Sequence, residues 1–232
     1  MSAAFKTLMG ILLAPAALAA AWATAAALAP ALGKFGVTFP LLAGALACAL
    51  LHAAGRGKRL YVTAHELTHA LAAFASGVRV RKISVKGSSG YVLLDSTNAF
   101  ISLAPYFVPF YTLAVSAAYW TAGRFWDLAP YRPWFLAAAG FTLAFHLLHT
   151  AEILGGPVQS DLRKAGGPVF SLPLLLLLNC LGLAAAVKLL FPGLVSLRGY
   201  AAQVLSAQGA AYRHLWEAAA YVLNTAKIYL NS

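Results

Sequence analysis

The sequence predicts an all-α polytopic membrane protein. About six transmembrane or re-entrant helices are expected, with a small β-hairpin after the third and a C-terminal interfacial helix. Three observations carry this reading. The 232 residues are 61% hydrophobic and only 10% charged, whereas soluble domains carry about 25% charged residues. Apolar runs close to the ~20 residues that span a bilayer recur between short separators such as "GKFG", "GRGKR" and "GGPVQSDLRKAGG". A single β-branched stretch interrupts the series. There is no internal repeat and no long polar linker. Residues 1–195 therefore read as one membrane-embedded domain with its core at 60–191, and 196–232 as an amphipathic helix.

The elements follow in order. Lys6 precedes an apolar run over 8–32. That is longer than the ~7–15 residues of a signal-peptide core, so it reads as a retained first transmembrane helix. Residues 36–54 and 60–77 give the second and third apolar segments. Residues 78–96, "VRVRKISVKGSSGYVLLDS", are β-branched around a "KGSSG" turn and read as a hairpin. Imperfect alternation near Lys82 predicts a bulge. Residues 99–122 contain Pro105 and Pro109, which predicts a distorted or gating membrane helix. Residues 133–154 and 168–191 complete the set, and Asn179 in the last reads as a hydrogen-bonding residue between helices. In the tail, Leu197, Tyr200, Val204, Ala211, Leu215, Ala219 and Val222 recur at helical spacing. Arg198, Gln208, Arg213 and Glu217 form the polar face, as expected of a helix lying in the membrane interface. Cys48 and Cys180 sit in apolar runs and read as packing residues.

Charge narrows the function. The net charge is +11, but the basic residues lie mostly between apolar runs and form no basic domain. They fit membrane orientation and anionic lipid, and not nucleic acid. The six acidic residues are Glu66, Asp95, Asp127, Glu152, Asp161 and Glu217. A carboxylate inside a membrane domain is costly and marks function.

One such carboxylate lies in "YVTAHELTHALAAF", residues 61–74. His65 and His69 are four apart, so a helix turns both to one face, with Glu66 beside them. H-E-x-x-H is the pattern in which two imidazoles hold one zinc ion and the glutamate serves as general base. The residue types suit that chemistry: neutral imidazole is a good ligand for a borderline ion, and a carboxylate can take a proton from water and return it to a leaving amine. The bland alternative is a pair of histidines hydrogen-bonded to neighbouring helices.

A catalytic zinc site usually has three protein ligands. "HLLHTAEILGGPVQSDLRKAGG" offers His146, His149, Glu152 and Asp161. Asp161 leads, because it follows a Gly-Gly-Pro break that can turn a carboxylate toward another helix. Glu152 and His149 remain alternatives, and His146 or His149 could support the site from behind. Asp161 could otherwise pair with Arg163 or Lys164 or cap the next helix. If the third segment and hairpin return to their starting face, Lys6, Arg56, Lys58, Arg59, Arg79, Arg81, Lys82, Lys86, Arg163 and Lys164 share one side. That satisfies the positive-inside tendency and brings Asp161 to the face of His65 and His69, near the cytoplasmic surface of the cell membrane.

An H-E-x-x-H helix among apolar segments, a hairpin after it and an aspartate about ninety residues on resemble the site-2 protease family of intramembrane zinc metalloproteases. "HELTHALAAFASGVRVRKISV" is similar to its small bacterial branch. The resemblance covers roughly residues 65–167. It implies His65, His69 and Asp161 as ligands of one Zn²⁺, Glu66 as general base, and a membrane-embedded protein or peptide as substrate. The chain departs from the family's pattern in that Asp161 is followed by Leu162 where glycine is usual, only Pro157 stands upstream where the family has an asparagine and prolines, and Thr68 stands where glycine is frequent. The competing readings are a zinc protease with Glu152 as third ligand, a non-proteolytic membrane scaffold with a structural or vestigial metal site, and a metal transporter. The last is disfavoured, because the candidate ligands concentrate in two places.

Overall fold

The computed structural model describes residues 2–230. The chain is mostly helical, and four helices among the described residues are long and apolar enough to cross a membrane. They are formed by α1 (Ala3–Gly33), α2 (Phe35–Ala53), α6 (Arg132–Gly155) with the 3₁₀ turn Ala129–Tyr131 before it, and α8 (Pro168–Leu190). Long apolar helices of this kind are compatible with a membrane protein. A fifth span exists if a bent pair counts as one: α4 (Ala99–Leu103), running into a 3₁₀ turn at Ala104–Tyr106, meets α5 (Phe110–Ala122) at 76°. The break falls where Pro105 and Pro109 are found, and proline cannot continue the helical hydrogen-bond ladder.

The third apolar segment forms α3 (Lys58–Ala75). It is not among the spanning candidates. Its first turn carries Lys58 and Arg59, and one face carries His65, Glu66 and His69, which together dilute its hydropathy. Against the expectation of about six spanning or re-entrant helices, the described residues hold four clear spans, or five if the bent pair counts as one.

The hairpin forms as the sequence suggests. β1 (Val80–Lys86) pairs antiparallel with β2 (Ser89–Leu94). The register shifts between Val80 and Lys82, a bulge at Arg81. Gly87 opens the two-residue turn at φ +60°, where a side chain would be strained. Across the base of the hairpin, Arg81 is ion-paired with Asp95.

Two compact units emerge, Met1–Pro30 with Leu172–Ser232, and Ala31–Ser171. In the first, Ala23, Ala184 and Tyr200 form a small core. The hydroxyls of Thr24 and Tyr200 lie 3.0 Å apart. Here α9 (Leu197–Leu230) is a single long helix. It is tied to α1 by Tyr200 and by the Tyr212 hydroxyl, which donates to the Leu12 carbonyl. Leu215, Trp216 and Val222 are exposed. Asn179 donates to the Leu175 carbonyl one turn back in α8, at 2.8 Å.

In the second unit, α2 lies against α6 through two glycines. A Cβ on Gly44 would stand 1.9 Å from the Ala137 carbonyl oxygen, and one on Gly140 would stand 2.0 Å from that of Leu41. Only glycine permits this backbone approach, the packing device of membrane helices. The C-terminal ends of the two helices come together, with the rings of His52 and His149 4.6 Å apart. Cys48 is buried beside Tyr61 and Phe145 as a packing residue, and both cysteines are unpaired.

Candidate metal centre

The middle of α3 supplies the first two donors. His65 and His69 lie on one face, their rings 4.8 Å apart and edge to face. His69 Nδ1 donates to the Ile101 carbonyl at 2.8 Å. That carbonyl is fixed by local sequence, because Asn98 caps α4 by accepting from the Ile101 amide at 2.8 Å. With its proton committed at Nδ1, His69 offers Nε2 as a lone pair. Thr68 turns its hydroxyl back to the Ala64 carbonyl at 2.7 Å and stays out of the site.

The third donor arrives from α7 (Ser160–Ala165). Asp161 Oδ2 lies 3.5 Å from both His65 Nε2 and His69 Nε2. The same oxygen accepts from the Tyr106 hydroxyl at 3.1 Å. Tyr106 is fully buried, and its ring stands edge-on to His65 at 5.1 Å. Asp161 Oδ1 is 3.8 Å from Lys164 Nζ, so the local salt bridge accompanies the imidazole contacts. Burial alone would raise the Asp161 carboxyl, but hydrogen bonding to His65 and His69 and their charge hold it well below the ordinary carboxylate range.

The donor atoms of His65, His69 and Asp161 all lie within 4.8 Å of one another. Two ligands about 2.1 Å from a tetrahedral ion stand about 3.4 Å apart, which the 3.5 Å separations match. Donor chemistry agrees: two imidazole nitrogens and one carboxylate oxygen suit zinc and leave a fourth position open. His65 Nδ1 is buried without a hydrogen-bond partner, so that ring lacks the second anchor His69 has. These three residues could hold a single metal ion.

Glu66 is buried beside the donors, and that burial pushes its carboxyl up, partly offset by the two imidazoles. The hairpin comes down directly over it. A Cβ on Gly90 would stand 2.7 Å from Glu66 Cγ and 2.8 Å from Val62 Cγ1, so glycine lets β2 lie against the α3 face. Between them opens a cavity of about 360 Å³, bordered by His65, Glu66, His69, Gly90, Tyr106 and Asp161.

The other sequence candidates are elsewhere. His149 and Glu152 meet His52 at the ends of α6 and α2, not His65 and His69. His146 lines a separate cavity of about 20 Å³ with Tyr61, His65 and Thr68. Sequence reasoning overlooked Tyr106, the Ile101 carbonyl, Gly90 and His52. Tyr106 lies inside the proline-marked "SLAPYFVPFY", and its place between Pro105 and Pro109 was the available signal.

Comparison with protein-family models, curated proteins and solved structures returns no match for this chain.

Proposed function

We propose that this chain is a zinc-dependent intramembrane endopeptidase of the site-2 protease kind, which hydrolyses a peptide bond in or near a substrate's transmembrane segment. The observation that carries the reading is the convergence of one carboxylate oxygen on two imidazole nitrogens, 3.5 Å from each, beside a buried glutamate. His65, His69 and Asp161 would hold the ion. When bound, zinc supplies Lewis acidity, polarising the scissile carbonyl and acidifying water.

The remaining work falls to the chain. Glu66 takes a proton from the attacking water and delivers it to the departing amine as the C–N bond breaks. Burial pushes its carboxyl up, which makes it a stronger base toward that proton. Tyr106 holds the Asp161 carboxylate in place, and the Ile101 carbonyl fixes the tautomer of His69. β2 belongs to a two-stranded sheet, so its outer edge has main-chain groups free to pair with an unwound substrate segment. That pairing reads backbone and tolerates many sequences.

In this reading α3 and the bent α4–α5 pair enter the bilayer without each being a simple span, and with the four long helices they make up six membrane-embedded segments. The basic residues Arg56, Lys58, Arg59, Lys82 and Lys86, which flank the H-E-x-x-H segment in sequence, and Lys164 beside Asp161 support a cytoplasmic-side placement and contact with anionic lipid.

The test is hydrolysis of fluorogenic transmembrane peptides by the detergent-purified chain. Cleavage should stop on chelation and return with zinc. Glu66→Gln should keep its zinc and lose about 10²- to 10⁴-fold in rate. A Glu66→Gln protein that cleaves at the wild-type rate would refute the enzyme reading and leave a membrane protein with a structural metal.

A further inference from the structure

A second cluster of metal-binding side chains lies outside that site. His52 closes α2, while His149 and Glu152 sit one turn apart near the end of α6. One donor atom from each lies within 4.8 Å of the other two. We infer that these three residues form a second site for a divalent transition-metal ion of the zinc, cobalt or nickel type, which clamps the end of α2 to the end of α6.

Geometry separates this from an ordinary ion pair. His52 Nε2 and Glu152 Oε2 are 3.8 Å apart, too far for a hydrogen bond and suited to an ion lying between them. His149 is buried, and its Nδ1 donates to the Phe145 carbonyl at 3.0 Å. Its proton is therefore committed, and Nε2 is left as a lone pair. The rings of His149 and His52 meet edge to face, held by the α2–α6 contact at Gly44 and Gly140. Two imidazoles and one carboxylate select a borderline ion; magnesium and calcium prefer oxygen donors alone. Glu152 is half exposed, which gives the ion a way in.

The cluster shares no donor with the first. Tyr61 stands between them, stacked on His149 at 5.2 Å and 5.7 Å from the His65 ring. An ion there would tie the two helix ends together, a structural role. The inference uses its own donors and does not depend on the protein being a protease.

The test is metal stoichiometry on the full chain in detergent, stripped by chelator and titrated with Co²⁺, with bound metal counted after gel filtration. Wild type should hold two ions per chain. His52→Gln and Glu152→Gln should each hold one, and so should a His65→Gln/His69→Gln double variant. Glu152 is half exposed, so its variant keeps the test usable if the His52 change disturbs packing. A wild type that holds one ion, retained in both His52→Gln and Glu152→Gln, overturns the second site. One ion that is lost in those variants and kept in the double variant supports the second site and sinks the first. Two ions retained in both His52→Gln and Glu152→Gln also overturn it.

Discussion

Two clusters with the same donor types, two histidines and one carboxylate, stand on either side of Tyr61. What surrounds them differs. The first lies beside a cavity of about 360 Å³, with a buried glutamate, a tyrosine on its aspartate and a strand lying over it. The second is formed where two helix ends meet, and its carboxylate is half exposed. Donor identity decides which ion binds, and the neighbouring groups decide whether that ion can do chemistry. The clusters also depend on different parts of the scaffold. None of the first set lies on α2, whereas the second needs α2 to supply His52.

That difference in scaffold can be broken directly. Gly140→Ala puts a Cβ 2.0 Å from the Leu41 carbonyl oxygen. Backbone cannot swing aside as a side chain can, so the cost should reach the upper part of the ~1–3 kcal/mol range for overpacking. Thermal unfolding in detergent should show the loss. Cobalt binding at His52, His149 and Glu152 should weaken, while His65, His69 and Asp161 retain theirs. Equal weakening at both clusters would mean that the first also depends on the α2–α6 contact.

The next effect concerns the first cluster alone. Tyr106→Phe removes the hydroxyl that donates to Asp161 Oδ2. Loss of such a supporting bond costs about 10- to 100-fold in metal affinity. The expected value is about tenfold, because both imidazoles still face the carboxylate. Competitive zinc titration measures it. An unchanged affinity would make Tyr106 a packing residue only. Gly90→Ala should act more weakly and on a different quantity. Its Cβ meets side-chain atoms of Glu66 and Val62, which can give way. Cleavage should fall severalfold as Glu66 is displaced, with zinc affinity unchanged. Loss of zinc instead would show that the hairpin holds the ligands as well as the base.

How much of this was legible in the sequence depends on how local each feature is. His65, Glu66 and His69 were readable because helical spacing alone sets them on one face. The hairpin, its bulge and its turn were readable from β-branched residues around Gly87. The approach of Asp161 required a guess about how the chain turns after Gly155 and Gly156, and only the fold could supply its distance. His52 was invisible: it is one polar residue in an apolar helix, and its meeting with His149 follows from Gly44 and Gly140, two among 19 glycines. The count of spans exceeded the four long helices because the apolar residues of α3 were given more weight than its basic first turn and its polar face.

The smallest effect is one of pH, and its sign separates bare protein from loaded protein at the first cluster. Without metal, burial would lower the His69 imidazole, but hydrogen bonding to Asp161, that carboxylate's charge and the Ile101 carbonyl together raise it. A raised imidazole contributes stability that is fully present below its unfolded value near 6.5 and is lost as pH climbs through the higher folded value. Asp161, held low, contributes stability that is present above ~3.9 and is lost only as pH falls through its lower folded value, so it stays ionised from about pH 6 to 8. The metal-free protein should therefore become slightly less stable as pH rises from about 6 to 8. Zinc should do the reverse, because it needs neutral imidazoles and competes with protons. The rise in unfolding temperature on adding zinc should grow over the same interval, and Asp161→Asn should flatten both trends. If the metal-free protein instead grows more stable as pH rises, the Asp161–His69 pairing is not what sets the charge in this site.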